Sequence, residues 1–94
     1  MRTIERSNAF KRDFKRALRV PRYRKDLRAL LAAAAQLLAE DRLLPASASD
    51  HALTGNWAGY RDCHLRPDLL LIYSRPDAKT LRLARLGSHS ELFG

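Results

Sequence analysis

Apolar positions recur with a helical period in the first half of the chain and with strand-like runs in the second. Phe10, Phe14, Ala17 and Leu18 stand at i, i+4, i+7 and i+8, one stripe of an amphipathic helix. Ser7 or Asn8 is a suitable N-cap for it. After Pro21 a second stripe runs through Tyr23, Leu27, Leu30, Leu31, Ala34, Leu37 and Leu38, predicting a helix over 22–41. Two such helices joined by a tight turn form an antiparallel hairpin. Residues 2–7 predict a short first strand. Pro45 closes the helical region, and 45–58, rich in Ala, Ser, Gly and Asn, reads as a loop. Three strands follow, over 60–65, 69–73 and 80–86, separated by turns at Pro67-Asp68 and at 75–78. Residues 88–94 predict a short helical turn or tail. The order β-α-α-β-β-β predicts an α+β fold, an antiparallel sheet with the N-terminal helical hairpin packed on one face.

Length limits this to one domain, 1–94. Hydrophobic residues make up 46% and charged residues 30%, enough apolar surface to exclude wholesale disorder. The start of the chain, Met-Arg-Thr-Ile-Glu-Arg, has no apolar run, so no secretory leader is expected. No stretch is apolar enough for a membrane span. The single cysteine, Cys63, excludes an intrachain disulfide and a multi-cysteine zinc site. It should face the core and be inert. A cytoplasmic, reducing setting is expected.

Charge changes the picture more. Residues 1–28 hold eleven basic and three acidic side chains, and residues 29–94 hold seven of each, so the whole net charge of +8 lies in the first third. Arginines outnumber lysines 14 to 4, which favours bidentate phosphate contacts. Such segregation is the footprint of a polyanion partner. Lys11, Arg12, Lys15, Arg16 and Arg19, on the polar faces of the first helix, are the candidate contacts to nucleic-acid phosphates. An anionic membrane surface is disfavoured, because both helices spend their apolar faces on the core.

The three histidines, His51, His64 and His89, lie in the charge-neutral part beside other polar groups. Strand alternation sets Tyr60, Asp62 and His64 on one face and Arg61, Cys63 and Leu65 on the other. In an antiparallel meander, the end of one strand, the start of the next and the end of the third share an edge. His64, Asp68, Arg85 and His89 are therefore expected to converge. Imidazoles and a carboxylate supply a general base and acid, and a guanidinium stabilises a phosphorane-like transition state. Such a set can cleave RNA through the ribose 2′-OH without a metal or other cofactor. DNA lacks that hydroxyl. The histidine spacings fit no common metal-ligand pattern.

The run Asp50-His51-Ala52-Leu53-Thr54-Gly55-Asn56-Trp57-Ala58-Gly59-Tyr60-Arg61-Asp62-Cys63-His64, continued by Pro67-Asp68, by Leu71-Ile72-Tyr73 and by residues 85–94, resembles the signature of YafQ-type toxins in the RelE/ParE superfamily of bacterial toxin–antitoxin systems. The Phe-Lys-Arg-Asp-Phe-Lys-Arg segment (residues 10–16) resembles the first helix of that family. The resemblance implies a RelE-like fold and a ribosome-dependent endoribonuclease that cuts mRNA in the ribosomal A site. It also implies a DinJ/RelB-like antitoxin as partner. It assigns acid–base work to His51, His64, Asp68 and His89, transition-state stabilisation to Arg85 and mRNA positioning to Phe93. His89 is the expected general acid, and His51 or His64 the base, with Asp68 orienting or sharing that role. Where the family usually carries tryptophan after Pro67-Asp68, this chain has Leu69. Trp57 reads as a core anchor. Two other readings share the fold: a ParE-like toxin that binds gyrase and needs no acid–base set, and a catalytically inactive nucleic-acid-binding subunit.

Overall fold

The computed structural model describes residues 1–94. Its elements are β1 (Thr3–Arg6), α1 (Asn8–Leu18), α2 (Pro21–Arg24), α3 (Leu27–Ala39), β2 (His51–Ala52), β3 (Arg61–Arg66), β4 (Leu69–Asp77), β5 (Thr80–Gly87) and α4 (His89–Phe93). Short 3₁₀ turns occupy Ala46–Ala48 and Gly55–Trp57.

Ser7 starts α1 and also fastens it to the sheet. Its hydroxyl oxygen accepts from the Phe10 amide at 2.9 Å and donates to the Ala84 carbonyl at 2.7 Å. An N-cap of this kind stabilises a helix by about 1 kcal/mol. The predicted second helix is broken. Pro21 opens the single turn of α2, and Asp26 leaves helical geometry with φ −127° and ψ 3°. The Asp26 carboxylate accepts two bonds from Arg66 on β3, at 3.0 and 2.8 Å. The apolar stripe outlives the break: Tyr23 and Leu27 are both buried, because four positions still bring them to one side.

The five strands form one sheet in the order β1-β5-β4-β3-β2. Three pairings are antiparallel, as the short turns require, but β1 runs parallel to β5. The expected antiparallel sheet is therefore mixed. β1 is separated from β5 by the helices and the other strands, a crossover long enough for a parallel pairing. Strand β4 runs on to Asp77, past the expected turn. Pro76 is tolerated there because the ladder loses register between Ser74 and Asp77. The loop expected over 45–58 contains the two-residue strand β2. Gly59, at φ +91°, turns the chain back toward β3 in a backbone region that side chains disfavour.

Helices α1 and α3 cover one face of the sheet. Phe10, Leu27 and Leu38 pack there against Leu69, Leu71, Tyr73, Leu81, Leu83 and Leu86. The other face holds a smaller cluster, Leu70, Ile72, Ala84 and Leu92, with Leu53, Trp57, Tyr60 and Phe93 around it. Burial on both faces accounts for the unbroken apolar run at the start of β4. Cys63 faces the helices and is fully buried, and burial pushes its thiol up to about 12. No helix is long and apolar enough to cross a membrane.

Candidate active site

The second face of the sheet carries the chemistry. Asp62 and His64 sit two residues apart on β3 and so share that face. His51 on β2 is the direct cross-strand partner of Asp62. His89 opens α4, whose start is fixed by a reciprocal cap: Ser88 accepts from the Glu91 amide, and Glu91 accepts from the Ser88 amide. Residues of this kind at a helix start satisfy donors that the helix leaves free. Four residues later Phe93 lies against His89, with ring centroids 5.0 Å apart.

These segments line an open cavity of about 420 Å³, with His51, Asp62, His64, His89, Phe93 and Trp57 among the residues of its wall. All three imidazoles, from three separate segments, therefore meet. A second cavity of about 460 Å³ adjoins it through His64 and His89 and is lined also by Asp68, Ser88 and Ser90. Trp57 is half-buried in the wall of the first cavity, edge-on to Tyr60 at 5.1 Å. It is thus both a packing residue and a lining one. A third groove, between α3 and the segment around Pro45, is almost wholly apolar and offers only His64 to acid–base chemistry.

The imidazole of His51 is oriented by its own loop. Its Nδ1 lies 2.8 Å from the Ser49 carbonyl. A carbonyl only accepts, so Nδ1 is the donor, and in the neutral ring Nε2 is then the nitrogen with the free lone pair. Asp62 is 4% exposed. Burial pushes its carboxyl above the ordinary range, opposed by His51, His64 and His89 and reinforced by Asp50.

Asp68 reaches the edge of this region, but its carboxylate turns to the helices. It accepts from Arg22 at 3.0 and 2.8 Å. Hydrogen bonding from Tyr23 and Arg22 holds it below the ordinary carboxylate range. A carboxylate held low is a poor proton acceptor at neutral pH. Arg85 lines neither cavity. Its guanidinium donates to the buried Asp13, at 2.6 Å from Nε and 3.2 Å from Nη2. The expected convergence thus unites His64 with His89, and also with His51. It brings Asp68 only to the rim and leaves Arg85 outside.

Asp62 was absent from the expected set. Its signal lay in strand alternation, which puts it beside His64, but the strand that faces it was hidden in an apparent loop. No group of three or more His, Cys, Asp or Glu side chains is arranged to hold a metal ion.

The basic surface divides. Lys11, Arg12, Lys15 and Arg19 are exposed on or just after α1. Arg16 is instead engaged within the molecule, 3.0 Å from Asp13 and 3.3 Å from Glu91.

Comparison with known proteins agrees with this architecture. The profile of a family described as "Bacterial toxin of type II toxin-antitoxin system, YafQ" matches residues 2–94. The mRNA interferase toxin YafQ of Escherichia coli strain K12 is 42% identical over 93 residues, covering 99% of this chain and 97% of that protein. The crystal structure of YafQ from E. coli strain BL21(DE3) matches with a TM-score of 0.83 at 42% identity, over 100% of both chains. The toxin in the crystal structure of the E. coli DinJ–YafQ toxin–antitoxin complex matches with a TM-score of 0.81 at 42% identity, over 99% of this chain and 98% of that one. With the profile spanning nearly every residue and the fold shared throughout, the chain belongs to the YafQ family of bacterial type II toxin–antitoxin toxins.

Proposed function

We propose that this chain, as one toxin domain over 1–94, is an endoribonuclease that cuts mRNA on the ribosome and is neutralised by a cognate DinJ/RelB-like antitoxin. The observation that carries the reading is the meeting of His51, His64 and His89 in one cavity with Phe93 on its wall. The relative named as an mRNA interferase toxin, and the solved complex of such a toxin with its antitoxin, support the substrate and the partner. The working place is then the cytoplasm of a bacterium.

The chemistry follows from the cavity. His51 Nε2 takes the proton of the ribose 2′-OH, and the oxygen attacks the adjacent phosphorus. The P–O5′ bond breaks and His89 protonates the departing 5′-oxygen, leaving a 2′,3′-cyclic phosphate and a 5′-hydroxyl. His64, between the two, contacts the reacting phosphate. Phe93 offers its ring to a base, a stacking contact worth about 1–3 kcal/mol. Asp68, held ionised, contributes charge and orientation at the rim. Arg85 stabilises the transition state only where a substrate phosphate outcompetes Asp13 for its guanidinium. Lys11, Arg12, Lys15 and Arg19 supply phosphate contacts to rRNA.

Mapping of mRNA 3′ ends after addition of the protein to a translation reaction tests this. Cuts within ribosome-bound message are expected. His64→Ala and His89→Ala should each lower the cleavage rate on the order of 10² to 10⁴. Wild-type rates in both variants would overturn the catalytic assignment. Intact mRNA with gyrase-dependent DNA breaks would favour a gyrase-binding toxin.

A further inference from the structure

One buried oxygen on this face lacks a hydrogen-bond partner. Asp62 Oδ1 is inaccessible and takes no hydrogen bond. It nevertheless lies 3.1 Å from His51 Nδ1. The hydrogen of that nitrogen is aligned on the Ser49 carbonyl, 2.8 Å away. An unpaired buried carboxylate oxygen is destabilising, because its lost hydration is not replaced. Folded proteins retain such groups mainly where the group has work to do.

The surroundings define that work. Asp62 is paired across the ladder with His51 on one side and with Ile72 on the other. The titratable groups around it are His51 and Asp50 from the segment of β2, His64 from its own strand and His89 from α4. No arginine or lysine neutralises it, although its chain neighbour Arg61 is engaged by Asp50 at 3.1 Å. The nearest cation the site can generate is thus an imidazolium on His51. We propose that Asp62 is a positioning residue for the cleavage reaction: its unpaired oxygen stands behind His51 Nδ1 and stabilises the charge that forms when Nε2 takes the 2′-OH proton.

In the resting site the Ser49 carbonyl sets the tautomer. As Nε2 is protonated, the positive charge spreads to Nδ1, and the carboxylate 3.1 Å away becomes a charge partner. The stabilisation arises in the transition state and not before. An interaction of that kind raises kcat and leaves substrate binding unchanged.

This role rests on the endoribonuclease reading, and its test separates the two. Single-turnover cleavage of mRNA on programmed ribosomes is measured for wild type, D62N, H51Q and the double variant. Asn keeps the volume of Asp62 and removes its charge. D62N should lower kcat at least about tenfold with KM within a factor of about two. In the H51Q background D62N should change kcat by less than about twofold, since the group it acts through is gone. Equal losses in both backgrounds, with wild type cutting normally, overturn the positioning role and leave the enzyme reading intact. A carbon-13 titration of the Asp62 carboxyl needs neither cleavage nor a substitution at the buried position. In H51Q, where an exposed side chain is exchanged, its midpoint should move up as the facing imidazole is lost. An unmoved midpoint means that the two groups do not interact, and also overturns the proposal.

Discussion

Asp13 and Arg85 stand 72 positions apart in the chain and 2.6 Å apart in the molecule. The same carboxylate accepts from the Leu86 amide at 3.0 Å and from Arg16 at 3.0 Å. An acidic side chain in the middle of the basic first helix thereby ties that helix to the strand leading into His89. Arg16 extends the tie to Glu91 on α4.

Asp13→Asn should destabilise the fold. Burial raises the Asp13 carboxyl, but the bonds from Arg85 and Leu86 and the charges of Arg85 and Arg16 outweigh it, leaving the pKa below the ordinary value. A carboxyl with a lowered folded pKa contributes stability above its unfolded pKa, about 3.9, and loses it as pH falls through the folded value. Arg85 is 29% exposed on its side chain, which tempers the effect to about 2 kcal/mol. Urea melts at pH 7 should show this gap between D13N and wild type, and it should narrow as pH falls below about 3.9. A gap independent of pH would assign the loss to packing.

Asp62→Asn should behave in the opposite way. Burial raises the Asp62 carboxyl. Its stabilising contribution is therefore present below the unfolded pKa of about 3.9 and lost as pH rises through the folded value. At pH 7 the isosteric, uncharged Asn should give a melting temperature equal to or above that of wild type. The difference should vanish toward pH 3. A large drop at pH 7 would show that the ionised carboxylate supports the fold.

Reversing Lys11, Arg12, Lys15 and Arg19 to Glu should weaken ribosome binding and flatten its dependence on salt, because fewer counterions are released. Filter binding across a range of ionic strength measures both. An unchanged salt slope would remove this surface from the docking interface.

Arg16→Ala should act differently from its four neighbours. Its guanidinium holds Asp13 and Glu91, so its loss should lower stability and loosen α4, with little change in the salt slope. Thermal melts and amide exchange at residues 88–94 distinguish the two effects.

Cys63 should resist thiol reagents in the native protein. It is fully buried, and a thiol pushed up to about 12 provides almost no thiolate at neutral pH. Labelling kinetics with and without urea should show modification only on unfolding.

By itself the sequence determined the parts of the fold set by period and punctuation. The stripe from Phe10 to Leu18 dictates α1, and the apolar run at Leu69–Tyr73 with its flanking turns dictates the central hairpin. Strand alternation dictates that Asp62 and His64 share a face while Cys63 turns inward. Residue type marked the three histidines, and the block from Asp50 to His64 marked the family. Tertiary structure alone decided the rest. A side chain 40 residues distant, Arg66, meets Asp26 where the second helix breaks. β2 is two residues long and has no period to detect; it exists because β3 offers it an edge. That pairing sets His51 opposite Asp62. Asp13, which in sequence is one acidic residue among cations, claims Arg85 and keeps it out of the cavity. Local patterns record the solvent each face meets. The partner of a buried charge depends on which distant segment the fold delivers to it.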